Sequence, residues 1–168
     1  MVSCYSRNDR FACDPYRPRT VFKLLFKSSE PRIRATPFLY FKGDCESALQ
    51  FYQACGLGKI VELRRIEGTP LAERDGPAWK QKVLFSRFEG PGLSLCASDG
   101  ADSEPMKGCA IFIETDDAGT AEALFDALSA GGRITVAFKK QFWGDHYGNF
   151  TDKFGVQWAV SSAAQARE

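Results

Sequence analysis

With 168 residues and 44% apolar side chains, the chain is long enough to build the core of one domain, or of two small halves that share one. The formal net charge of +1 conceals an asymmetry: residues 1–34 carry eight Lys and Arg against three acids, whereas residues 35–168 carry fourteen against eighteen. A mildly acidic body excludes nucleic acid as the main partner, and no apolar run approaches the ~18 residues that cross a bilayer.

The basic segment 1–34 suggests an organelle transit peptide by its arginines. Asp9, Asp14 and Glu30 argue against that, and it reads as a disordered or peripheral leader. The short stretch VFKLLF within it is too brief and interrupted for a signal-peptide core. Six cysteines, Cys4, Cys13, Cys45, Cys55, Cys96 and Cys109, form no C-x-x-C pair and no disulfide or zinc spacing. Reduced thiols and a cytoplasmic location follow as the expectation.

From Thr36 the pattern predicts a strand (PFLYFK), an acidic helix cap at Asp44, a helix (CESALQFYQAC) stopped by Gly56 and Gly58, and a strand (KIVELRRI). Cys45, Ala48, Leu49 and Tyr52 recur at helical spacing, which gives this helix one face to bury. The loop 67–80 leads to a hairpin, KVLFSRFEG and LSLCASD, turning at Gly90-Pro91-Gly92. The loop 99–108 ends the first half; both loops either connect strands or cover a site as lids.

The order then returns: strand CAIFIE, caps Asp116 and Asp117, helix AGTAEALFDALSA, a stop at Gly131 and Gly132, and strand RITVAFKK. Ala121, Leu124, Phe125 and Leu128 form the second helical stripe. A last hairpin, GDHYGNFTD and VQWAVSS, turns at DKFG. Each half reads strand, helix, strand, strand, strand, as an internal duplication does. A helix on one face of each small sheet leaves the opposite faces free to curve around a cleft.

The doubled unit, with Phe51-Tyr52 following the Asp44 cap, resembles the vicinal oxygen chelate superfamily, which includes glyoxalase and bleomycin-resistance proteins. More narrowly, TPFLYFKGDCESALQFY, CASD and FWGDHYGNFTDKFGVQW resemble its PhnB-like branch over residues 36–161. The resemblance implies an α+β fold of two βαβββ modules, residues 36–99 and 108–162 of a domain spanning 35–162, with curved mixed sheets around a cup. It leaves residues 1–34 and a tail, 163–168, uncovered. It also implies a homodimer.

Enzymes of the superfamily hold a divalent ion by His and Glu side chains from four cup strands, where the ion acts as a Lewis acid. Counted back from Asp44, the first ligand position falls on Pro37; the second falls on Cys109 or Ala110, and the last-strand glutamate is replaced by Ala159. Residues 93–98 contain no His, Asp or Glu. Neither a metal nor another cofactor is expected, unless strands bend to bring His146, Cys109 and Glu114 together. Some sequences of the branch carry a ubiquinone-pathway methyltransferase label. The glycine-rich loop that would cradle a nucleotide-type methyl donor is missing at both helix starts.

Alternation along a strand puts Gln157, Ala159 and Ser161 on one face and Trp158 in the core; likewise Ser94, Cys96 and Ser98 form a polar face. With Trp79, Phe142, Trp143 and Tyr147 these residues describe a small-molecule pocket, although the same rings equally suit a dimer interface. His146, the only histidine, is the natural general acid or base. The alternative is a hydrogen-bonding residue at the pocket rim, since Asp145 would point to the opposite face. Cys96 and Cys109 lack partners that would activate a thiol, and Lys139-Lys140 either attracts an anion or ends a strand. The reading is a metal-independent small-molecule binding protein, with an isomerase, lyase or dioxygenase of the same fold as the alternative.

Overall fold

A computed structural model describes residues 33–163. The expected leader and tail lie outside the described residues, apart from residues 33, 34 and 163. In chain order the elements are β1 (Phe38–Phe41), α1 (Cys45–Ala54), β2 (Lys59–Arg65), α2 (Pro70–Asp75), a 3-10 turn (Pro77–Trp79), β3 (Val83–Gly90) and β4 (Leu93–Asp99). The second half continues with β5 (Ile111–Thr115), α3 (Ala118–Ser129), β6 (Arg133–Lys140), β7 (His146–Thr151) and β8 (Gln157–Ser162). The one unexpected helix is α2, which Pro70 opens behind Thr69. No helix among the described residues is long and apolar enough to cross a membrane.

The strands form two sheets of identical plan, β1-β4-β3-β2 and β5-β8-β7-β6. The pairs β1–β4 and β5–β8 are parallel and the rest antiparallel. Side-chain alternation then divides each sheet. Leu39, Phe41, Phe88, Leu95 and Ala97 of the first sheet, and Phe150, Trp158 and Val160 of the second, enter one core with the α1 and α3 stripes. Fully buried Leu49, Phe88, Leu95, Leu128 and Phe150 each contribute roughly 1.5–3 kcal/mol.

Two buried carboxylates fix the turns. The helix α1 begins after Asp44 as expected, yet the Asp44 side chain makes no cap hydrogen bond. Asp99, at the end of β4, does that work: its Oδ1 accepts from the amides of Gly43 and Cys45 at 2.9 Å each, and its Oδ2 from Val83 at 2.9 Å. In the second half Asp117 is the cap, with Oδ2 accepting from the Thr120 amide at 2.6 Å. Asp152 joins the halves. Its Oδ1 accepts from the amides of Phe154 and Val156, while its Oδ2 accepts from Tyr52 Oη at 2.7 Å and Trp158 Nε1 at 2.9 Å.

Where each helix returns to its sheet, the backbones nearly touch. A Cβ on Gly90 would lie 1.8 Å from the Leu57 carbonyl oxygen, and one on Gly132 would lie 2.3 Å from that of Thr151. At the surface Arg65 grips Glu46 with both guanidinium nitrogens and holds its carboxyl below the usual range. The stability from that fork is present above ordinary carboxylate titration and is lost as pH falls through the lowered folded value.

Tyr52→Phe removes one charge-assisted hydrogen bond, so urea denaturation should show a loss of about 1.5–3 kcal/mol. Asp152→Ala should cost more, since it strands both ring donors and two amides. Gly90→Ala should lower stability by at least the roughly 1–3 kcal/mol of an overpacked core; a neutral result would contradict the close backbone crossing.

Candidate functional site

The faces turned away from the helices carry the candidate site. On the first sheet Phe38 and Tyr40 stand beside Cys96 and Ser98 in the parallel register, with Phe85 and Arg87 on β3 beyond. The Phe38 and Tyr40 rings stack at 4.7 Å, Phe85 lies 6.1 Å from Phe38, and the guanidiniums of Arg64 and Arg87 sit over Phe85 at 5.8 and 6.0 Å. On the second sheet Phe112 and Glu114 share the open face with Gln157, Ala159 and Ser161, and with Tyr147, Asn149 and Thr151. Phe38, Tyr40 and Phe112 are 39%, 54% and 54% exposed, a large apolar exposure for sheet residues.

Ser94, Cys96 and Ser98, and Gln157 and Ser161, thus lie on the open faces of their sheets. Tyr147 lies beside Ser161, and Trp143 meets the Tyr147 ring edge-on at 5.8 Å. Phe142 packs on Trp143 at 4.7 Å but is otherwise bare, 97% exposed. Trp79 ends the 3-10 turn in the β2–β3 connection, half-buried. Two polar atoms of these residues, Ser94 Oγ and Gln157 Oε1, are buried without a hydrogen-bond partner. Buried polar groups are ordinarily paired, so both oxygens retain an unused acceptor that a small turn of the side chain would present to a ligand.

His146 belongs elsewhere. It has the parity of Gly148 and Phe150, its ring stacks on Phe138 at 6.0 Å, and Phe138 in turn packs on Phe125 of α3. The imidazole therefore lies on the helix side of the sheet, and only its backbone carbonyl, accepting from Ser161 Oγ at 3.1 Å, touches the open-face residues. β7 begins at His146, and alternation from Tyr147 turns the ring away from the open face. Lys139 faces Tyr147 across the ladder and Lys140 faces His146, both exposed. Cys109 is exposed and Cys96 buried. At Cys45, burial first and then the Asp99 charge push the thiol well above its usual range, so it is a packing group.

The open face meets a cleft of about 400 Å³ where Tyr40 and Lys42 approach Arg133, Thr151 and Gln157. The 99–108 connection contributes here, with Glu104, Met106 and Lys107 lining the wall. Of this group, sequence reasoning named Gln157 as a pocket residue and the 99–108 loop as a connection or a lid; Tyr40, Lys42, Arg133 and Thr151 meet only through the packing of the two halves.

A superfamily metal would sit among β1, β4, β5 and β8. The first position is not Pro37, which has the parity of buried Leu39 and Phe41, because Lys42–Asp44 form a turn with Gly43 at φ 105° rather than extend the strand. Phe38 and Tyr40 occupy the open side instead. Of the open-face side chains on these four strands, only Cys96 and Glu114 are common metal donors, and no group of three or more His, Cys, Asp or Glu comes together among the described residues. The residues do not fit a closed or three-donor site.

The sequence matches the family described as 3-demethylubiquinone-9 3-methyltransferase over residues 33–161. Among solved structures, protein PA1353 from Pseudomonas aeruginosa is 32% identical, with a TM-score of 0.68 over 78% of this chain and 98% of that one. A putative 3-demethylubiquinone-9 3-methyltransferase, PhnB protein, from Bacillus cereus is 21% identical, with a TM-score of 0.66 over 78% and 100%. A glyoxylase/bleomycin resistance protein/dioxygenase domain from Frankia sp. EAN1pec, 12% identical, shares the fold with a TM-score of 0.57 over 82% and 96%. The chain belongs to the matched family, the PhnB-like branch of the vicinal oxygen chelate superfamily, and has the glyoxalase and bleomycin-resistance fold.

Proposed function

We propose that this protein binds a small organic molecule on its open faces without a metal, as a homodimer in which a second copy helps to enclose the ligand. The observation that carries the reading is the make-up of those faces: hydroxyls of Ser94, Ser98 and Ser161, the Gln157 amide, and rings of Phe38, Tyr40, Phe112 and Tyr147. Apolar walls with a few directional polar groups are the composition of a ligand pocket. Trp143 and Phe142 extend that wall in this reading, and Trp79 adds a further ring. The apolar exposure at Phe38, Tyr40 and Phe112 supports the second copy. Free thiols at Cys45, Cys55, Cys96 and Cys109 support a reducing, cytosolic setting.

A methyltransferase of the kind in the family's description needs a place for a methyl donor. The turns that would present helix amides to a nucleotide-type donor are already occupied, by Asp99 at α1 and by Asp117 at α3. The residues do not fit that cofactor. An isomerase, lyase or dioxygenase reading would need a third metal donor beside Cys96 and Glu114.

Dialysed protein should carry no stoichiometric Zn, Ni, Mn or Fe by elemental analysis, and added ions should leave its melting temperature unchanged. A panel of aromatic acids, quinones and antibiotics at about 100 times Kd should stabilise the fold by roughly 2.7 kcal/mol, a shift of several degrees. One retained ion per chain would instead favour the enzyme. Sedimentation should show a dimer, and Phe112→Asp should shift it toward monomer.

A further inference from the structure

The cleft between the two halves has a charge pattern that the open faces do not explain. Lys42 follows β1, Lys107 lies in the β4–β5 connection and Arg133 opens β6, yet all three line the same cavity of about 400 Å³. The ion pairs among the described residues involve Arg64, Arg65 and Arg74; Lys42, Lys107 and Arg133 make none with another described residue. The apolar wall comes from Tyr40, Met106 and Phe154. Gln157 lines the same space with its buried, unpartnered side-chain oxygen.

We propose that this cleft binds the anionic head of a flat aromatic molecule that carries one carboxylate or sulfonate and a neighbouring N–H or O–H. The proposal deepens the binding function above and rests on it. Three cations draw the acid group, the rings of Tyr40 and Phe154 pack against the aromatic body, and Gln157 Oε1 accepts from the ligand's donor. Asp44 and Glu104 line the cleft as well. They leave an excess of one positive charge, which suits a single anionic group and disfavours a polyphosphate through like-charge repulsion. A second cleft has Glu114 as its charged residue, a third sets Arg74 against Asp102 and Glu104, and a fourth sets Lys80 against Glu67 and Glu73, so none of these three has an excess of positive charge.

Two probes with the same rings and the same N–H separate the charge from the apolar body: 1-anilinonaphthalene-8-sulfonate and neutral N-phenyl-1-naphthylamine. Fluorescence titration of the full chain should give a Kd for the sulfonate about tenfold lower than for the neutral probe, with the advantage shrinking as salt rises. Lys107→Gln and Arg133→Gln should each weaken sulfonate binding about threefold or more, the double variant should erase the preference, and binding of the neutral probe should not change. Both side chains are exposed, and unchanged melting temperatures would confirm that the variants fold. Equal affinity for the two probes, or a preference that survives the double variant, would overturn the anion subsite while leaving the binding function standing. Failure of both probes to bind stoichiometrically would overturn the two together.

Discussion

A four-stranded sheet has two faces, and one helix can cover only one of them. Each half of this protein meets that constraint in the same way: α1 or α3 seals one face, the sealed faces merge into a single core, and the other faces remain open. Everything assigned to function follows from which side a residue takes. Trp158 and Ala159 are neighbours in the chain and both are buried, yet one enters the core and the other lies on the opposite face with Gln157 and Ser161.

The seam between the halves is held by polar atoms as well as apolar ones. Asp152 gathers four donors, two from its own turn and two from rings in different halves. Such a carboxylate stabilises only while all its partners are present, because a stranded buried donor costs about 1–3 kcal/mol. It ties α1 to the β7–β8 turn, and Thr151, Phe154 and Gly155 around that turn line the cleft. Lys153, beside it, spans the Phe51 ring at 4.2 Å and the Phe154 ring at 5.3 Å, adding a cation to the outer rim of the same joint.

Much of this was legible in the sequence because it is local. Strand and helix periods placed all eight strands and the two long helices, and alternation put Ser94, Cys96 and Ser98 on one face and Trp158 in the core. What escaped depends on contacts between distant residues. Asp44 looks like a cap by its position, but Asp99, more than fifty residues away, supplies the hydrogen bonds. The turn at Gly43 decides which side each β1 residue takes, and the start of β7 decides the side of His146. No local signal joins Lys42, Lys107 and Arg133, which only the fold brings to one cavity.

The central claim is that the open faces, not the helix-covered faces, are the binding surface. Backbone amide shift mapping of the isotope-labelled full chain during titration with 1-anilinonaphthalene-8-sulfonate tests it residue by residue. Shifts concentrated at Tyr40, Ser98, Thr151 and Gln157 are the predicted result. Shifts centred on His146, Phe138 and the α3 surface, with the open faces silent, would contradict it.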